Sequence, residues 1–190
     1  MIVERRETRL SDWVTLVEKS VRHSGEAPAQ IYHSFKQADY VSVLVVTADG
    51  RIPLVRQYRP ALERETLELP GGLIEAGEAP EIAAMRELRE ETGYVAPNGV
   101  RLLGCLAPDT GRLENKLWCY FAFGAIFDDA AGGNPDPDVE PVVFTLPELR
   151  DAILNGSFEH ALHVAIVTLA LLKGYLTAGR LLQDSDSSAQ

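Results

Sequence analysis

Apolar positions along the chain group first into short extended runs and later into helical ones. Val14, Leu16 and Val17 open one extended segment; the polar stretch Ser24-Gly25-Glu26-Ala27-Pro28 predicts a turn, and Ile31 to Lys36 runs back. Tyr40 to Val46 (YVSVLVV) predicts a strand. Ala48-Asp49-Gly50 follows, Asp-Gly being a strong hairpin signal, and Ile52 to Tyr58 predicts the returning strand. Pro70-Gly71-Gly72 breaks the pattern. A helix is predicted over Pro80 to Thr92, with proline suited to its first turn and Gly93 to its stop. Val100 to Leu106 and Leu117 to Phe127 read as further strands, and Asp128 to Asp138 as a polar loop. Thr145-Leu146-Pro147-Glu148 has capping-box spacing and opens a short helix that Asn155-Gly156 closes. Phe158 to Leu176 reads as one long helix, apolar on most sides and therefore buried. Gln183 to Gln190 predicts a disordered tail. This order of elements fits an α/β or α+β domain with helices packed on a mixed sheet.

Composition narrows the function. The chain of 190 residues fits one domain with a terminal addition, and its formal net charge of -10 argues against a general nucleic-acid binder. A nucleotide remains an acceptable ligand, because local arginines and a metal ion can hold a diphosphate. The N-terminus lacks a signal-peptide run, and the longest apolar stretch, Val164 to Leu172, is too short for a bilayer, so a cytoplasmic protein is expected. Cys105 and Cys119 both lie in apolar runs and read as buried, reduced thiols.

The chemistry concentrates in Gly71 to Tyr94, GGLIEAGEAPEIAAMRELREETGY. Glu87, Glu90 and Glu91 share one helix face at i, i+3, i+4, where like charges repel. Ala83 and Ala84 lie beside them and leave room, while Ile82, Met85 and Leu88 are expected to face the core. Arg86 is i−4 from Glu90 and can neutralise part of the charge. A solvated acidic face would leave the Gly-Gly turn and Glu78 unexplained; a hard divalent cation explains all of them together.

These residues resemble the Nudix signature: Gly72, then Glu78, then Arg86-Glu87-Leu88, Glu90-Glu91 and Gly93 fall at its fixed positions. Tyr94, where an aliphatic residue is usual, is the one departure. The motif covers about an eighth of the chain. The resemblance implies a Nudix fold, a mixed sheet sandwiched between helices, over residues 39–180, with an N-terminal strand extension over 1–38 and a tail over 181–190. It implies Glu87, Glu90, Glu91 and the Gly71 carbonyl as ligands of Mg²⁺ or Mn²⁺, Arg86 as the arginine that orients them, and Glu78 as a supporting acid.

Outside the motif, Arg56-Gln57-Tyr58-Arg59-Pro60 and Leu67-Glu68-Leu69-Pro70 look like the segment preceding it in ADP-ribose pyrophosphatases and related nucleotide-sugar hydrolases. By that likeness Arg59, with Arg56, meets the diphosphate. The N-terminal stretch resembles that subgroup too, which implies that the N-terminal strands pair across a homodimer and that Trp13 or Tyr32 stacks on the adenine. The catalytic base is expected in Asn134-Pro135-Asp136-Pro137-Asp138-Val139-Glu140, Glu140 before Asp138. Arg112 and Glu114, in another polar loop, are further candidates. His160 and His163 have metal-pair spacing but no evident third ligand, and are not assigned a metal. The implied reaction is Mg²⁺-dependent cleavage of a nucleoside diphosphate derivative, ADP-ribose first, with no nucleic acid or membrane as partner. A dinucleotide cofactor or nucleoside triphosphate as substrate, or a nucleotide sensor that cuts nothing, are the alternatives.

Overall fold

A computed structural model describes residues 1–23, 25, 28–128 and 138–177, so most of the polar loop at 128–138 and the tail lie outside the described residues. The elements run β1 (Ile2–Arg9), β2 (Thr15–Val21), β3 (Gln30–Lys36), β4 (Tyr40–Thr47), β5 (Arg51–Arg59), β6 (Arg64–Glu68), α1 (Pro80–Thr92), β7 (Tyr94–Val95), β8 (Arg101–Leu106), β9 (Leu117–Phe127), β10 (Val139–Thr145), α2 (Leu146–Asn155) and α3 (Ala161–Leu172).

Strand β4 is apolar almost throughout because both of its faces are covered. Val41, Val43 and Val45 pack with Ala83, Ala84 and Leu88 of α1, whereas Leu44 and Val46 pack with Leu149 of α2 and Ile166, Val167 and Ala170 of α3. The mixed sheet thus lies between helices, as expected. β4 runs parallel to β9, and β7 and β8 join β9 antiparallel. A second, antiparallel sheet has the order β10-β5-β6, and a third the order β1-β2-β3.

Four strands went unread in the sequence, the two-residue β7 among them. β1 (IVERRETR) is exposed on both faces and so carries no apolar alternation. β6 (RETLE) reads as polar although its last three residues are buried. β10 contains Pro141, which its place at the sheet edge tolerates. The expected long helix is shorter than Phe158 to Leu176 at both ends. The Phe158 N–H turns back to the Ala152 carbonyl, His160 caps α3 by accepting the His163 N–H, and beyond Leu172 the chain turns through Gly174 at φ +74°. The capping box of α2 and the left-handed Gly93 and Gly156 are as expected. Cys119 is buried, but Cys105 is exposed. Among the described residues no helix is long and apolar enough to cross a membrane.

Candidate active site

Helix α1 packs on β4 through Ala83, Ala84 and Leu88, all fully buried there. The alanines therefore face the core, not the open side, while Ile82 is half exposed. One turn on, the same helix surface carries Glu87 and Glu91 to the rim of the core, where they meet the Gly71-Gly72 turn. The Glu87 side chain is only 13% exposed, against 57% for Glu90.

Both glycines are required by close approach. A Cβ on Gly72 would stand 2.4 Å from Glu87 Oε1, and one on Gly71 would stand 2.2 Å from the Val41 carbonyl oxygen. The turn is tied to β4 by the Val41 N–H to the Gly72 carbonyl (2.9 Å) and the Val43 N–H to the Pro70 carbonyl (3.0 Å). The Gly71 N–H donates to Glu91 Oε2 at 2.8 Å.

Arg86 organises the acids around it. Its Nε and Nη2 donate to the two Glu78 oxygens at 3.0 Å each, its Nη1 to Glu87 Oε1 (2.8 Å) and Glu90 Oε2 (3.1 Å), and Nη2 also to the Leu73 carbonyl. Glu78 is held below the usual carboxylate range by Arg86. Glu87 is pushed up by burial in spite of Arg86. Glu91 is pushed up to about 8 by burial, with the Glu87 charge adding to it and the Gly71 N–H opposing it. Two screened carboxylates that resist ionisation together can accept a hard cation, which removes the reason for the resistance.

A second buried carboxylate adjoins them. Glu68, 2% exposed, accepts from Arg59 Nε and Nη2 at 2.7 Å each and from Thr66 Oγ1 at 2.6 Å. Burial would raise its carboxyl, but Arg59 and Thr66 outweigh that and hold it at about 2. The Leu69 N–H next to it donates to Nδ1 of buried His163, whose ring stacks on His160 at 3.8 Å. Arg59, Glu68, His160 and His163 line a pocket of about 220 Å³ with Tyr40, Val41 and the Gly71–Leu73 turn. The third group missing from the His160–His163 pair in the sequence is therefore Glu68: ligand atoms of the three lie within 4.8 Å of one another. Arg59 already pairs with both Glu68 oxygens, and Nδ1 of each histidine accepts a backbone N–H, that of Leu69 at His163 and that of His163 at His160, which leaves the proton of each neutral ring on Nε2 and no free nitrogen lone pair for a cation. Leu67-Glu68-Leu69-Pro70 was legible as a segment, but nothing in its spacing gave Glu68 a role; alternation along β6, once seen, does.

Other expected residues fall elsewhere. Arg56 and Arg59 are three apart on β5, so strand alternation turns them to opposite faces. Glu140 sits opposite Arg56 in the β5–β10 register, 3.9 Å from it and 67% exposed, on the face away from Arg59. Glu114 is bound by Arg5, Lys19 and Ser34; burial would raise its carboxyl, but these partners hold it at about 2, which suits a clasp between the N-terminal sheet and the β8–β9 loop and not a proton acceptor. Arg112 is exposed in that loop. Trp13 is 70% exposed, and Tyr32 bonds with His23 and Gln30; neither lines the pocket beside the glutamates. Tyr94, the departure from the motif, packs edge-on against Phe127.

The family model for the NUDIX domain matches residues 36–163. The chain is 37% identical over 109 residues to the methanol dehydrogenase activator of Bacillus methanolicus, covering 57% of this chain and 58% of that one. It is 47% identical over 131 residues to an ADP-ribose pyrophosphatase of Mycobacterium tuberculosis, covering 66% and 61%. The chain thus spans less than two thirds of the length of these curated relatives. A crystal structure of an ADP compounds hydrolase has the same fold, with a TM-score of 0.76 at 24% identity over 92% of this chain and 95% of that one.

Proposed function

The chain belongs to the NUDIX family, and from that premise we propose that it is a Mg²⁺-dependent hydrolase of nucleoside diphosphate derivatives, with ADP-ribose the first candidate. The observation that carries this reading is the pair Glu87 and Glu91. Both are screened from water, both are pushed toward the neutral form by burial, and they face a glycine turn that leaves no side chain in the way. The donor set is all oxygen and fits Mg²⁺, with Mn²⁺ as an alternative: Glu87, Glu91 and the more exposed Glu90, joined by the Gly71 carbonyl. Bound there, the ion supplies neutralisation of the diphosphate charge and activation of a water.

The chain's own residues then have distinct tasks. Arg86 keeps Glu87 and Glu90 in place while Glu78 holds Arg86. Arg59, on the same side of β5 as the pocket, offers a planar cation to the diphosphate. Water attacks one phosphorus, the bridging phosphorus–oxygen bond breaks, and ADP-ribose yields AMP and ribose 5-phosphate. Glu140 has no place in this reading within its own protomer, because it lies on the face away from Arg59. In a homodimer joined through the N-terminal sheet, exposed Trp13 or Tyr32 would reach the adenine of the neighbouring site. The names of the relatives support an ADP-containing substrate.

The test is a hydrolysis panel with and without Mg²⁺ over ADP-ribose, ADP-glucose, GDP-mannose, NADH, FAD and dNTPs, with products identified by mass. Dominant conversion of ADP-ribose to AMP is expected. Tight binding with no cleavage of any compound would instead identify a sensor.

A further inference from the structure

We propose that Glu68 is a positioning residue for the reaction: a buried carboxylate that fixes the Arg59 guanidinium before substrate arrives. The proposal rests on the reading that Arg59 meets the diphosphate, and it adds the device that aims it.

A free arginine side chain has about 2 kcal/mol of rotamer entropy to lose when it is ordered. Here that ordering has already taken place. Glu68 takes Nε and one terminal nitrogen, both at 2.7 Å, so the contact runs along one edge of the guanidinium plane. The remaining terminal nitrogen, Nη1, is left with its N–H donors, and the side chain is 43% exposed where it borders the pocket. The Glu91 charge acts on Arg59 as well, which sets the guanidinium within electrostatic reach of the metal-ligand glutamates.

Glu68 is itself built in. In the β5–β6 register Glu68 stands opposite Val55 and Thr66 opposite Gln57, so all of these share the face of Arg59. The Thr66 hydroxyl donates to Glu68 Oε1, and the neighbouring Leu69 N–H is anchored by His163 Nδ1 at 3.1 Å. That anchor fixes the tautomer: with Nδ1 accepting, the ring is neutral and its proton sits on Nε2, so the one full positive charge bonded to Glu68 is that of Arg59. A carboxylate buried to this degree is costly unless it is paired, and for a structural purpose alone an apolar residue would serve as well. What the pair provides is a fixed direction for one cation at the mouth of the site.

The experiment is a double-mutant cycle on whichever compound of the panel is turned over, with kcat and KM measured for Arg59→Ala, Glu68→Gln and both together. Glu68→Gln keeps the shape and removes the charge. We expect it to lower kcat/KM by about 10–100-fold, and to add no further loss, within about twofold, once Arg59 is alanine. Losses that multiply in the double variant would mean that Glu68 acts independently of Arg59, and would overturn the proposal. A Glu68→Gln enzyme within about twofold of the parent, beside a strongly impaired Arg59→Ala, would overturn it too while leaving the Arg59 reading intact. An unimpaired Arg59→Ala would overturn both. If Glu68→Gln does not fold, Thr66→Val takes its place in the same cycle: it leaves the carboxylate charged but frees one of its oxygens, and the same non-additive loss is expected at smaller size.

Discussion

Two adjacent glycines, changed in the same way, should fail differently. Gly72→Ala directs its new methyl at the end of a flexible side chain: Glu87 Oε1 at 2.4 Å and Cδ at 2.6 Å. Gly72 lies outside the positive-φ region, so alanine brings no backbone strain. To restore an ordinary contact the carboxylate must retreat by about 1 Å, which pulls it from its 2.8 Å bond with Arg86. The cost to stability should be under about 1 kcal/mol, or a few degrees in Tm for a chain of this size. A displacement of that order at a catalytic group costs about 100-fold in rate. Gly71→Ala directs its methyl instead at strand β4 itself, 2.2 Å from the Val41 carbonyl oxygen and 2.8 Å from Ser42 Cα. The β4 backbone is held between β9 on one side and the Pro70–Leu73 turn on the other and has nowhere to go, so about 3 kcal/mol or more should be lost, and Tm should fall by about 10 °C. The assay is thermal melting and turnover on the same preparations. A fully active Gly72→Ala, or one that melts as low as Gly71→Ala, would refute the reasoning.

Other outcomes follow from the same geometry. Arg86→Gln leaves Glu78, Glu87 and Glu90 without their shared cation and should cost about 3 kcal/mol, read by denaturant unfolding, together with most of the activity; an unchanged unfolding midpoint would contradict it. Burial, with the His160 charge adding to it, holds His163 down to about 3 from its ordinary 6.5. Below pH 6.5 the unfolded chain therefore binds a proton that the folded chain refuses; stability is complete above that pH and declines as pH falls toward 3. Between pH 6.5 and 4.5 His163 should account for about 2 kcal/mol of that decline, and His163→Asn, which keeps an acceptor for the Leu69 N–H, should flatten the slope by that amount; an identical slope would exclude the assignment. Trp13→Ala should raise KM with little change in kcat if the exposed indole stacks on a base, and should change neither if it only lies at the surface.

What could be read from the sequence depended on how far each signal was local. Helix α1 was legible because Pro80 and Gly93 mark its ends, and the glutamate face followed from its period. β4 and β9 were legible because both are near-continuous apolar runs. The faces of α1 were less so: spacing placed Ala83 and Ala84 beside the glutamates but could not say that close packing on β4 buries them. β1 was unreadable because both of its faces are exposed in the protomer. The Arg59–Glu68–His163 arrangement joins β5, β6 and the start of α3, and no spacing along one chain reveals a contact between residues 94 apart. Glu140 looked like the base because acids cluster before β10; only the register with Arg56 shows which way it faces.

The central claim is that Glu91 helps to hold a divalent cation on which hydrolysis depends. Glu91→Gln tests it most directly, because burial already draws the free carboxyl toward its neutral form and the amide can accept the Gly71 N–H in its place. Melting without Mg²⁺ should therefore be unchanged in Glu91→Gln. The rise in Tm on adding Mg²⁺ should disappear, and ADP-ribose hydrolysis should fall by orders of magnitude. A Glu91→Gln protein that still gains stability from Mg²⁺ and still turns over at the parent rate would contradict the account.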